Sequence, residues 1–324
     1  MSEELPFDPF PYIENPHYQT IVNSFFNFFL DISSDEKIIQ LPDGDRLSHV
    51  ISTPRDWKPT DPTVVLIHGL CGSHKSANPA RMARRLTEIG IRAVRFNMRN
   101  CGTGKGLAKK IYHSGRSEDV FETLKELKRE HPKSPIIVTA FSLGANITLK
   151  LAGELASLGK HFLKGAIAVS PPVDLYSSVQ LLDHPDNSFY QRYFYRLLRA
   201  DVHYLHKKFK DLPPIELPKY MKLYDFDQFY TAPQCGFIDA EDYYSKCSSA
   251  QFVPDIEIPC KILLAKDDPI VSSSSLDGHK LPSNVCVFKT KKGGHMGYVG
   301  HPRHKKGFYW LDSLLVEWIL DMLK

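Results

Sequence analysis

Apolar and polar positions along the chain alternate between two rhythms. Residues 63–68, 91–96, 136–140 and 165–169 are short, β-branched and almost uninterrupted apolar runs, the pattern of strands buried on both faces. Between them the apolar positions recur at helical spacing. Asn78 is expected to cap a helix with Pro79 at its first position, an apolar face of Met82, Leu86 and Ile89, and Gly90 at its end. Residues 118–129 and 145–158 are expected to be two further helices. Strand and helix in turn imply βαβ units and a parallel sheet.

This rhythm is framed by different patterns. Residues 1–36 are rich in proline and aromatics, which predicts an extended arm packed on the core, since a free tail would be poorer in aromatics. Residues 37–41 and 46–53, joined by Pro42-Asp43-Gly44-Asp45, predict a β-hairpin in which the aspartates are turn residues and not a metal site. From 171 to 259 the alternation stops. Pro213-Pro214, Pro218 and many aromatics occur there, with Tyr193, Leu197, Leu198 and Tyr204 at helical spacing. Such aromatics serve a core more often than a ligand site, and an inserted helical lid accommodates both uses. Strands resume at 261–265 and 285–290. Trp310, Leu311, Leu314, Leu315, Trp318, Ile319, Met322 and Leu323 then mark one closing amphipathic helix. The expected organisation is an arm at 1–36, a core at 37–170 and 260–324, and a lid at 171–259.

Composition narrows the function classes. The 324 residues carry 41 Lys plus Arg against 37 Asp plus Glu, a net charge of +4, too small and scattered for a nucleic-acid partner. Cys71, Cys101, Cys235, Cys247, Cys260 and Cys286 form no Cys-x-x-Cys pair and are expected to be free, mostly buried thiols. The acidic, proline-containing start does not resemble a signal peptide, and the apolar run at 25–30 is too short to span a bilayer, so a cytoplasmic location is expected. The basic, aromatic segment 204–210 is a candidate for peripheral membrane contact, weighed against an ordinary solvated helix face.

The chemistry centres on Ile136-Ile137-Val138-Thr139-Ala140-Phe141-Ser142-Leu143-Gly144-Ala145-Asn146. A strand runs into a small-x-Ser-x-Gly turn and then a helix, an arrangement that exposes a serine hydroxyl above a sheet. Serine needs a base, and the base a carboxylate to orient it. His295, in Gly293-Gly294-His295-Met296-Gly297, and Asp268, in Asp267-Asp268-Pro269-Ile270-Val271, both follow predicted strands, where open α/β sheets place their sites. Asp268 is preferred to Asp267 as the acid because of the Pro-Ile-Val that follows it. The strand before Gly69 ends in a His-Gly turn, so the oxyanion donors are assigned to the backbone N–H groups of Leu70 and Leu143. His68 is expected to be a structural hydrogen-bonding residue.

Taken with Asn15-Pro16-His17-Tyr18-Gln19-Thr20, Leu41-Pro42-Asp43-Gly44-Asp45, His68-Gly69-Leu70-x-Gly72-Ser73, Tyr112-His113-Ser114-Gly115, Phe229-x-x-Ala232-Pro233 and Asp239-Ala240-Glu241-Asp242-Tyr243-Tyr244, these motifs make the chain resemble the YheT-like branch of α/β-hydrolases. That branch also includes eukaryotic membrane-associated lipases and phospholipases. The resemblance implies an α/β-hydrolase fold with an inserted helical lid, and esterase or lipase-like activity on short to medium acyl esters. It also implies a triad of Ser142, Asp268 and His295, with no metal or organic cofactor. Two positions depart from the pattern. Ala140 replaces a glycine, which predicts modest crowding, and Asn100 replaces a glycine in a loop. The Tyr112-His113-Ser114-Gly115 stretch has no evident chemistry and is expected to be a structural loop.

Small-molecule or lipid esters are the expected substrates. A catalytically silent lipid- or partner-binding protein on the same fold is the alternative. A metallohydrolase built on the histidines between 295 and 304 lacks a His-Glu-x-x-His or comparable ligand spacing.

Overall fold

The computed structural model describes residues 2–25 and 32–324, so the run at 25–30 lies, beyond Phe25, outside the described residues. The strands are β1 (Glu3–Glu4), β2 (Asp35–Gln40), β3 (Arg46–Ser52), β4 (Thr63–Ile67), β5 (Arg92–Phe96), β6 (Ile136–Phe141), β7 (Gly165–Val169), β8 (Cys260–Ala265) and β9 (Val285–Thr290). They form one sheet in the order β1-β9-β8-β7-β6-β4-β5-β3-β2. Only the β2–β3 and β3–β5 pairings are antiparallel. The apolar runs became strands because every residue of β4, β5, β6 and β7 is buried, so both faces had to be covered.

Helices do the covering. α1 is Pro16–Phe25, α2 Ala77–Glu88, α3 Ser117–Glu130, α4 Leu143–Leu155 and α5 Gly159–Phe162. Side chains alternate between the two faces of the sheet. Val64, Leu66, Ile137 and Ile167 pack in one layer with Met82 of α2 and with Trp310, Leu314 and Trp318 of the closing helix. Val65, Ile67, Val138 and Ala168 pack on the other side with Val120 and Leu124 of α3 and Leu149 of α4. The chain between β7 and β8 is helical: α6 (Leu175–Leu182), α7 (Ser188–Lys208), α8 (Leu223–Phe226), a π-helical turn (Asp227–Thr231), α9 (Ala232–Cys235) and α10 (Ala240–Cys247). α11 (Trp310–Leu323) closes the fold. No helix among the described residues is long and apolar enough to cross a membrane.

Two helix starts differ from expectation. α2 begins at Ala77 with Ser76 as its extended cap residue, so Asn78 lies inside the first turn. The Asn78 side chain is spent on tertiary bonds, its Oδ1 accepting from Asn23 Nδ2 (3.0 Å) and Arg81 Nη2 (2.6 Å). Pro79 is tolerated because first-turn N–H groups have no helical acceptor. α4 begins at Leu143, directly after Ser142, two residues earlier than the apolar pattern suggests. The hairpin turn forms as expected, with Gly44 at φ 90°. Its aspartates do more than turn the chain: Asp43 and Asp45 each accept from Arg99 Nη1 at 2.7 Å, while Asp119 takes the other face of the guanidinium.

Candidate active site

β6 delivers Ser142 to a turn that most residues avoid. Its φ of 51° and ψ of −122° are strained for a side chain with a Cβ. The surroundings fix this conformation: Ser142 N–H donates to Val169 O (2.9 Å), and Ala145 N–H donates to Ser142 O (2.8 Å). Gly144 is indispensable to the turn, since a Cβ there would sit 2.4 Å from His68 O. Ala140 is fully buried, in register with Ile67 and Ala168, and the turn forms with its methyl in place.

The structure brings the three predicted side chains into one chain of hydrogen bonds. His295 Nε2 lies 2.8 Å from Ser142 Oγ, and His295 Nδ1 lies 2.9 Å from Asp268 Oδ2. A carboxylate only accepts, so the imidazole proton is assigned to Nδ1, which leaves Nε2 to accept from the serine hydroxyl. The Asp268 side chain is completely buried, and its Oδ1 accepts the N–H groups of Ile270 (2.8 Å) and Val271 (3.0 Å). Asp267 instead accepts from Gly294 N–H (3.0 Å), and burial pushes its carboxyl up from the usual range.

Leu70 and Leu143 stand beside Ser142 and His295 on the wall of one cavity. As the first residue of α4, Leu143 has a backbone N–H without a helical acceptor. Gly69 packs so closely that a Cβ on it would lie 3.1 Å from the Ser142 Cβ. Below this loop His68 is fully buried, accepts from Met98 N–H at Nε2 (3.2 Å) and donates from Nδ1 to Gly69 O (2.7 Å). Burial pushes its imidazole down to about 4, so it is neutral and its ring nitrogens are committed to the backbone.

The family described as alpha/beta hydrolase fold matches residues 62–302, about three quarters of the chain. The chain is an α/β-hydrolase. Among its relatives is "Putative esterase YheT" of Escherichia coli, 30% identical over 100% of this chain and 95% of that protein. The monoacylglycerol lipase of Saccharomyces cerevisiae is 29% identical over 80% of this chain, which spans 59% of that protein. The solved structure of the Pyrococcus furiosus esterase Pf2001 superposes with a TM-score of 0.58 over 91% of this chain and 93% of that one. At 19% identity it speaks for the fold alone.

Several residues of this hydrolase's site were not assigned from sequence. The histidine loop has left-handed backbone at Gly294, Met296 and Tyr298, and the N-terminal arm holds it. Thr20 Oγ1 accepts the His295 N–H at 2.8 Å. Gln19, fully buried, accepts from Val299 N–H and donates to Val299 O. Cβ atoms on Gly294 and Gly297 would lie 2.3 Å from Pro16 O and Gln19 O. The Asn15-to-Thr20 motif was the available signal, yet nothing local in it names its target.

The Tyr112-to-Gly115 stretch is equally well connected. Tyr112 OH accepts from Cys71 N–H (2.9 Å), next to Leu70, where Cys71 has φ 55°. Ser114 exchanges hydrogen bonds with Tyr243 of α10, and its carbonyl accepts from Asn146 of α4 (2.9 Å). Asn100 keeps the left-handed conformation expected of a glycine (φ 63°), and its amide also ties the loop by accepting from Gly106 N–H and donating to Lys110 O.

The hydrolase's cavity together with its open mouth holds about 1100 Å³ of atom-free space. Its walls are mainly apolar, with Val179, Leu182, Phe194, Leu198, Val202 and Phe226 among them. The candidate peripheral segment 204–210 contains the end of α7, and its Leu205 lines the same cavity. No group of three or more His, Cys, Asp or Glu side chains gathers as metal ligands among the described residues. All six cysteines are free, and Cys101, Cys247 and Cys260 are buried.

Proposed function

We propose that this chain is a serine carboxylic ester hydrolase that works through an acyl-enzyme on Ser142. The hydrogen-bonded chain from Ser142 Oγ through His295 to Asp268 carries the proposal. His295 Nε2 takes the Ser142 proton as Oγ attacks the ester carbonyl. The backbone N–H groups of Leu70 and Leu143 receive the oxyanion, and His295 then protonates the departing alcohol. Water enters, gives a proton to His295, and releases the acid by the same steps reversed. Asp268 accepts from Nδ1 and so holds the imidazole in the tautomer this cycle needs.

An esterase and a monoacylglycerol lipase among the relatives support ester hydrolysis as the activity. The apolar cavity supports a substrate with a short to medium acyl chain, lipid esters included. In the same proposal residues 171–259 act as the lid, since α6, α7 and α8 contribute apolar side chains to the wall of the cavity that holds Ser142, and Pro16, Gln19 and Thr20 of the N-terminal arm clamp the histidine loop.

The test combines labelling by a fluorophosphonate probe with turnover of p-nitrophenyl esters of graded chain length. Ser142→Ala is expected to abolish labelling and to lower kcat by roughly 10^4- to 10^6-fold. Normal labelling of that variant, or no turnover at any chain length by folded wild-type protein, would sink the proposal. Bound lipid in a protein inert to the probe would instead support the silent binding alternative.

A further inference from the structure

One carboxyl group in the cavity has no part in the chemistry above. Asp227 opens the π-helical turn Asp227–Thr231 and lies on the cavity wall beside the apolar Leu223 and Phe226. Single π-helical turns concentrate at functional sites. A carboxyl among apolar side chains costs free energy unless hydrogen bonds compensate it, and here the compensation is incomplete. Tyr244 OH donates to Asp227 Oδ2 at 2.7 Å, and the Thr231 hydroxyl also bonds to the carboxyl. A carboxylate has about four acceptor positions, so two hydroxyls leave capacity unused.

Among the described residues no third side-chain donor bonds to the carboxyl. Tyr243 OH is committed to Ser114, donating to its Oγ and accepting its N–H. His113 is held neutral by burial; its Nδ1 accepts from Gly115 N–H, which leaves the proton on Nε2, and that N–H makes no bond to Asp227. Arg99, the cationic side chain on the same wall, spends four of its five N–H donors on Asp43, Asp45 and Asp119. Asp227 is mostly buried in the protein but lies on the cavity lining, where a ligand in the cavity meets it. Burial pushes its carboxyl up to about 6, which leaves it an ionised acceptor in a neutral assay.

We infer that Asp227 is a specificity subsite for a neutral hydroxyl on the substrate, so that the preferred ester carries a free hydroxyl away from the bond that is cut. The inference rests on the serine-hydrolase proposal for Ser142 and adds a second recognition point in the same cavity. A hydroxyl fits better than an ammonium because the apolar walls make an added charge expensive to desolvate. The hydroxyl belongs either to the alcohol part or to the acyl part of the ester, and both present the same donor.

Three esters separate these sources: butyl octanoate, 4-hydroxybutyl octanoate and butyl 8-hydroxyoctanoate. The readout is the ratio of kcat/KM for each hydroxylated ester to that of butyl octanoate within one protein, so any general loss in a variant cancels. In wild type one hydroxylated ester is expected to be favoured by about tenfold. In Asp227→Leu that ratio is expected to fall to about one, and in Asp227→Asn to lie between. The favoured ester tells which part of the substrate reaches the subsite. No preference in wild type, or a preference that survives in Asp227→Leu, overturns the inference.

A binding measurement keeps the test independent of turnover. Calorimetry on Ser142→Ala protein compares 1-octanol, a donor, with methyl heptyl ether, which is not. Tighter binding of the alcohol that disappears when Asp227→Leu is added supports the subsite; equal affinities overturn it. Failure of the Ser142 proposal reads out separately, as turnover that survives Ser142→Ala.

Discussion

Ser142 and His295 meet at 2.8 Å but are supported in opposite ways. Ser142, the proposed nucleophile, is held by its own strand, its own helix and the adjacent strand ends: Val169 O, Ala145 N–H and the close approach of Gly144 to His68 O. His295, the proposed base, is held by a segment about 275 residues earlier in the chain, through Thr20 Oγ1 and the packing of Pro16 and Gln19 on Gly294 and Gly297. The first support is backbone geometry inside the sheet. The second is a clamp applied from outside it, through the Thr20 and Gln19 side chains and the Pro16 and Gln19 carbonyls. Damage to the first therefore acts on the fold, while damage to the second acts on the placement of one imidazole.

The largest effect is expected on the nucleophile side. Gly144→Ala drives a methyl toward His68 O at 2.4 Å and Ile67 Cγ2 at 2.7 Å, and the backbone carbonyl cannot move without shifting β4. We expect a loss of about 3 kcal/mol, read by denaturant unfolding, together with loss of ester turnover. Unchanged stability in this variant would mean that the elbow is not set by close packing and would erase the contrast drawn above.

On the base side the effect should be smaller and confined to rate. Thr20→Val removes the acceptor of the His295 N–H while keeping the β-branched shape. Leaving one buried donor unpaired costs about 1–3 kcal/mol, but the loop has other anchors in Gln19 and Asp267. We expect kcat to fall about tenfold with KM nearly constant, and Thr20→Ser to restore it. A variant that unfolds early yet turns over normally when folded would show the arm to be a structural strap only.

The same contrast explains what could be read from the chain without its structure. Buried parallel strands appear as apolar runs, and the elbow, the Asp-Pro-Ile-Val stretch and the Gly-Gly-His-Met-Gly loop are local patterns; each names its own residue. The sheet's outer edge was not legible. β1 is two exposed glutamates whose parallel pairing with β9 leaves no apolar signature. Nor were Thr20 on His295, Tyr112 on Cys71, or the three aspartates around Arg99, because a hydrogen bond between distant segments imposes no periodicity on either partner. The misplaced start of α2 has the same cause: Asn78 has a capping side chain, but Asn23 and Arg81 claim it.

The smallest effect should come from the place where the local and the distant supports meet. The oxyanion loop leaves β4, so it belongs to the nucleophile side, yet its Cys71 N–H is held by the Tyr112 hydroxyl at 2.9 Å, from a different loop. Cys71 has φ 55°, a conformation that a cysteine keeps only when its surroundings impose it, and Leu70 N–H, the proposed oxyanion donor, is one residue away. Tyr112→Phe keeps the ring and removes the acceptor. If the loop is locked by its own Gly69–Gly72 turn, in which Gly72 N–H donates to Gly69 O (3.1 Å), nothing should change. If it depends on Tyr112, the donor at Leu70 loosens, and an oxyanion hole loses most where charge develops. The second outcome is expected, with kcat reduced about fivefold, KM unchanged within a factor of two, and a parallel loss of affinity for a boronic acid that mimics the tetrahedral intermediate. A merely structural tyrosine would lower the melting temperature while leaving kcat and boronate affinity of the folded enzyme alone.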